Sequence, residues 1–235
     1  MGYPRRKIMP SDRIEIPCGP MALEGIIGYP EGNSPFPIVV ICHPHPLYGG
    51  SMYNSVVEAI AQSVKGKGMV SLMFNFRGVG RSGGSFGEGI GEQEDLKAAL
   101  SFAATQSKVD PKKMGVCGYS FGSTVALTVA ATDSRVAGVA GISPFIEPPS
   151  LLDPYTRPKL LVCGSEDEWI DTRKLETQVE RLPEPKELVV YSGVDHFWAG
   201  MEEPMAEKVA QFFQGLLENP KINPATAGQI DNAKN

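Results

Sequence analysis

From residue 37 onward, short unbroken apolar runs alternate with segments of helical periodicity. The runs are 37–42, 69–76, 113–117, 136–142, 159–163 and 187–191, and the helical segments are 53–65, 91–105, 121–131, 172–181 and 204–217. A strand that is apolar along both sides has to be covered on both faces, and the crossovers between parallel strands supply the helices that cover it. Ahead of this series, 13–17 and 23–29 read as an antiparallel pair turned by Cys18-Gly19-Pro20. The expected fold is a three-layer α/β domain: a mostly parallel twisted sheet with an antiparallel N-terminal hairpin and little or no cap. A chain of 235 residues fits one such domain. It is expected over residues 1–218, and the Asn, Pro, Ala, Gly and Lys of 219–235 are expected to form a loosely ordered tail.

Charge and targeting narrow the partners. The net charge is −5 and there is no block of Lys and Arg, which argues against nucleic acid or an anionic membrane surface as a partner. Residues 114–132 carry no formal charge and are long enough to cross a membrane. Their Gly-Tyr-Ser-Phe-Gly centre, with Ser123, Thr124 and Thr128 beyond it, fits a buried strand running into a buried helix better. Arg5-Arg6-Lys7 leads into Ser11-Asp12-Arg13 instead of an apolar signal core, and Arg6 breaks the myristoylation pattern after Met1-Gly2. Cys18, Cys42, Cys117 and Cys163 form no C-x-x-C pair, and the last three close apolar runs, so they are expected as reduced, buried thiols. A cytoplasmic protein acting on a small molecule is the expectation.

The chemistry starts at Gly118-Tyr119-Ser120-Phe121-Gly122, between a buried strand and a helix. A G-x-S-x-G turn in that context forces the serine into a strained backbone and presents its hydroxyl above the sheet edge, at a helix start. A serine needs a base. Among the three histidines, His196 lies in the loop after the last strand and before the last helix, where a base is required. An acid is expected after the intervening strand, and Asp167 in Gly164-Ser165-Glu166-Asp167-Glu168 is the best placed, with Glu166, Glu168 and Asp171 as neighbouring alternatives. The loop His43-Pro44-His45-Pro46-Leu47-Tyr48-Gly49-Gly50 follows the first parallel strand and is placed to face the N–H of Phe121 across an oxyanion. Pro44 and Pro46 have no N–H, which leaves His45, preferred, or Leu47 as the second donor.

These segments together, with residues 75–82 and 194–197, resemble the α/β-hydrolase superfamily over nearly the whole chain, in particular small bacterial hydrolases related to the dienelactone hydrolases. The resemblance implies a Ser120, His196, Asp167 triad in the order Ser…Asp…His and the N–H groups of Phe121 and His45 as oxyanion hole. Dienelactone hydrolases use a cysteine nucleophile where this chain has Ser120, so a serine esterase is the expected activity. Gly78-Val79-Gly80-Arg81-Ser82-Gly83 matches a dinucleotide pattern, but Gly-rich sequence continues where a helix would have to begin. A hydrolytic metal held by His43 and His45, or a hydrolase fold retained for binding, are the alternatives. No cofactor is expected. Leu47, Tyr48, Phe145, Phe197 and Trp198 are expected as the apolar wall of a lidless site for soluble, short-chain esters.

Overall fold

A computed structural model describes residues 11–218. The expected tail at 219–235, like residues 1–10, lies outside the described residues. The hairpin is β1 (Ser11–Cys18) and β2 (Met21–Gly28), paired in register from Ser11 with Gly28 to Cys18 with Met21. The remaining strands are β3 (Phe36–Cys42), β4 (Val70–Phe74), β5 (Val109–Tyr119), β6 (Val136–Ile142), β7 (Lys159–Gly164) and β8 (Lys186–Tyr191). They form one sheet in the order β1-β2-β4-β3-β5-β6-β7-β8, antiparallel from β1 through β2 to β4 and parallel from there on. The expected three-layer architecture is thus observed.

The helices are α1 (Ser55–Gly66), α2 (Ile90–Thr105), α3 (Phe121–Thr132), α4 (Thr172–Arg181) and α5 (Glu202–Glu218). Alternate residues of the strands feed two separate cores, as the period of two requires. In β3, Ile38 and Val40 belong to the same core as Leu96 of α2, Val125 of α3 and Leu175 of α4, while Val39 and Ile41 belong to that of Ile60 of α1 and Val209 of α5. Helices α2, α3 and α4 therefore cover one face and α1 and α5 the other. All four cysteines are free and buried, and burial raises the thiol pKa of Cys163 to about 11. No helix among the described residues is long and apolar enough to cross a membrane.

Boundaries follow local chemistry. Helix α1 starts at Ser55, two residues later than expected, because the Asn54 side chain accepts the N–H of Val56 and caps it there. Strand β5 starts at Val109, four residues early, and its Asp110 to Lys113 stretch is half-buried to exposed. The Gly78–Gly83 loop is followed by irregular chain until Ile90, so no helix N-terminus faces it; Arg77 instead anchors the segment through bonds of 2.9 and 2.7 Å to buried Asp95. Between β6 and β7, residues 143–158 contain no helix, and the mouth of the sheet's C-terminal edge is left open.

Candidate active site

Strand β5 ends at Tyr119 and α3 begins at Phe121, so Ser120 alone turns the chain, at φ 54° and ψ −121°. That left-handed backbone is strained for any residue with a side chain and is held by its neighbours. Glycine is required on both sides by close approach: a Cβ on Gly118 would lie 2.0 Å from the carbonyl oxygen of Gly122, and one on Gly122 would lie 2.5 Å from those of Cys42 and His43.

The turn brings the Ser120 hydroxyl to 2.9 Å from Nε2 of His196, in the loop between β8 and α5. On the other side of the ring, Nδ1 is 2.9 and 2.8 Å from the two carboxylate oxygens of Asp167, in the loop after β7. A carboxylate accepts at Nδ1 only if that nitrogen carries the proton, which leaves Nε2 free to accept from the serine O–H. Asp167 also accepts the N–H groups of Trp169 and Ile170 at 3.0 and 3.1 Å. Burial pushes its carboxyl pKa up, but hydrogen bonds from His196, the Ser143 hydroxyl and the Trp169 N–H outweigh burial and hold it below the usual carboxylate range. The neighbouring acids lie elsewhere: Glu166 and Glu168 are exposed, and Asp171 caps α4 by accepting the N–H of Lys174.

Behind Asp167 stands a pair that the sequence did not suggest. Ser143, just past β6, is fully buried at φ 45°, and its Oγ accepts the indole N–H of Trp198 at 3.1 Å. Trp198 is itself buried at φ 62°. Three of the four non-glycine residues with positive φ among those described are therefore Ser120, Ser143 and Trp198. The chain's strain is concentrated around one hydrogen-bonded cluster. Tyr119 adds a bond from its hydroxyl to the carbonyl of His196 at 2.8 Å, fixing the loop that carries the imidazole.

The donors expected for an oxyanion separate cleanly. Phe121 is the first residue of α3, where an N–H has no partner within the helix. The Leu47 N–H is taken by Nδ1 of His45 at 3.2 Å. Among the described residues no acceptor pairs with the N–H of His45 or of Phe121. The histidines do not make a ligand pair. His43 is fully buried; its Nε2 accepts the N–H of Phe76 at 3.0 Å and its Nδ1–H donates to the carbonyl of Pro44 at 2.6 Å. Both ring nitrogens are engaged, and burial lowers its pKa to about 4. The alternative of a hydrolytic metal held by His43 and His45 has no support in this arrangement, and the described residues contain no cluster of three metal-binding side chains.

A cavity of ≈ 580 Å³ opens over Ser120 and His196. Tyr48, Phe145 and Phe197 line it as expected. Two expected wall residues do not. Leu47 projects into solvent from the 3₁₀ turn Pro46–Tyr48, and Trp198 is drawn into the α1 and α5 core by its bond to Ser143 and its edge contact with Tyr191. Trp169 takes the place expected of Trp198: it lines the cavity with its ring 4.3 Å from that of His196. Its position two residues after the acid was the one available sign.

Known proteins resemble this chain in sequence and in fold. The model of the dienelactone hydrolase family matches residues 88–214, more than half of the chain. Among solved structures, the chain is similar to an α/β serine hydrolase homologue from Coxiella burnetii, with 35% identity, a TM-score of 0.78, and coverage of 87% of this chain and 98% of that one. It is also similar to a lidless α/β serine hydrolase from Xanthomonas campestris, with 28% identity, a TM-score of 0.78, and coverage of 92% and 98%. An uncharacterised protein of Rickettsia prowazekii is 29% identical over 202 residues, 81% of this chain and 84% of that one.

Proposed function

The chain belongs to the dienelactone hydrolase family, and from that premise we propose that it is a serine hydrolase cleaving carboxylic esters. The observation that carries this reading is the unbroken hydrogen-bonded line from Ser120 through His196 to Asp167. Ser120 attacks the ester carbonyl while His196 takes its proton at Nε2. Asp167 holds the tautomer and stabilises the imidazolium that forms; its depressed pKa keeps it ionised for that task. The oxyanion is received by the N–H groups of Phe121 and His45. His196 then protonates the departing alcohol, and water attacks the acyl-Ser120 ester, with the imidazole again as base. The open mouth left by residues 143–158 suits soluble esters over packed lipid chains.

The test is hydrolysis of p-nitrophenyl acetate, butyrate and octanoate by the wild type and by Ser120→Ala, with and without chelator. The reading expects a loss on the order of 10⁴-fold or more in Ser120→Ala, no effect of chelator, and the faster rates on the shorter esters. Activity that survives Ser120→Ala overturns it.

A further inference from the structure

We infer that the ester this site takes is uncharged and carries a flat aromatic ring in its acyl group. This rests on the hydrolase reading above and goes beyond it in naming the substrate class.

The first observation is the charge of the walls. No Lys or Arg lines the cavity over Ser120. Glu88 and Glu147 line an adjoining groove that shares Phe121 and Thr124 with this cavity, while Glu168 and Asp195 line a groove that shares no residue with it. The cation nearest Glu147 on the rim, Lys174, is already paired with it at 3.2 Å. Of the cations in the loop after β4, Arg77 is committed to Asp95 and Arg81 lines a separate groove against β1 and β2. A substrate carboxylate entering here meets no counter-ion on the walls, in a chain whose net charge is −5.

The second observation is what the walls are made of. Tyr48, Phe121, Phe145, Trp169 and Phe197 surround the reacting serine. Four of them are left uncovered, with 86% of Tyr48, 37% of Phe145, 56% of Trp169 and 60% of Phe197 exposed. They come from four different loops, and the seven exposed large hydrophobics of the described chain include all four. Trp169 and Phe197 meet edge to face, with centroids 5.4 Å apart, which leaves a cleft bounded by ring faces and edges. Stacked and edge-to-face contacts in such a cleft reward a planar aromatic partner beyond the area that it buries. A volume of ≈ 580 Å³ exceeds what an acetyl or butyryl group fills and lies within the range of cavities for larger organic ligands. The adjoining groove that shares Phe121 and Thr124 is also lined by Gly89, Ile90 and Leu151.

Three p-nitrophenyl esters with one leaving group test this: butanoate, 3-phenylpropanoate and 3-(4-carboxyphenyl)propanoate. The phenyl ester is expected to exceed butanoate by about tenfold or more in kcat/KM. The added carboxylate is expected to remove at least about tenfold, mostly through KM, with the penalty shrinking as salt is raised. Butanoate equal to or better than the phenyl ester, or a carboxylated ester as good as its neutral partner, overturns the inference. Binding of the same three esters to Ser120→Ala, read from tryptophan fluorescence, keeps the test separate from turnover. The same ranking in binding without turnover by the wild type would sink the hydrolase reading and leave the specificity standing. Turnover without the ranking does the reverse.

Discussion

His43 makes the fold acid-sensitive in a way that can be calculated. The unfolded chain takes up a proton at this residue near the ordinary histidine value of about 6.5. The folded chain resists protonation until about pH 4, because the ring is buried with both nitrogens engaged. A histidine with a depressed folded pKa contributes stability that is present above its unfolded value and is lost as pH falls towards the folded one. Between about pH 7.5 and about pH 4.5 the loss works out at about 2–3 kcal/mol. For a domain of this size that is a fall of about 5–10 °C in Tm. His43→Gln keeps an acceptor near the Nε2 position for the Phe76 N–H but cannot titrate. It is expected to be less stable than the wild type near neutrality and to lose about 2–3 kcal/mol less on acidification. Thermal melts of both proteins across that range provide the comparison, and the carboxylates common to both cancel in the difference. Equal losses in the two proteins would refute the reasoning.

Three further outcomes follow from the site. Asp167→Asn is expected to lower kcat on the order of 10⁴-fold and to lower Tm, since the amide keeps only one of the two acceptor oxygens; initial rates well below the melting range, beside a thermal melt, separate the two effects. Ser143→Ala and Ser143→Gly both remove the hydroxyl behind Asp167, and each is expected to lower kcat at least about tenfold with KM steady and the acid limb of the pH profile displaced. The glycine variant also accommodates φ 45° without strain, so its Tm should match or exceed that of the alanine variant; activity that simply follows Tm across the pair would show the role to be structural. Gly122→Ala forces its new Cβ against two backbone carbonyls at 2.5 Å, and loss of at least about 100-fold in activity together with a lower Tm is expected from displacement of the Ser120 turn.

Most of the architecture was legible because buried parallel strands and covering helices have different periods. Strand β6 and helix α4 fall at their expected bounds, since each is closed by an abrupt change in polarity. Strand β5 was read short because Asp110 to Lys113 continue the strand beyond the apolar core, where periodicity carries no signal. The reactive line was legible for a different reason: chain order and the strand-turn-helix context fix where a nucleophile, an acid and a base can emerge from such a sheet. The walls were not. Trp198 and Trp169 both flank expected site residues, and only tertiary contacts decide which one is drawn into the core by Ser143 and which is left over the serine. The roles of His43 and of Ser143 were hidden in the same way, since each depends on partners distant in sequence. Leu47 was excluded as an oxyanion donor by a side-chain bond from its own loop that no pattern announces.

The proposed reaction stands or falls on Ser120 being a nucleophile activated by His196 and Asp167. Its most direct measurement is covalent labelling with a fluorophosphonate, followed by peptide mapping by mass spectrometry. A single phosphonylated site is expected at Ser120, absent in Ser120→Ala and formed at least about 100-fold more slowly in His196→Ala. Labelling elsewhere with Ser120 unmodified, or labelling of Ser120 at the same rate without His196, would contradict it.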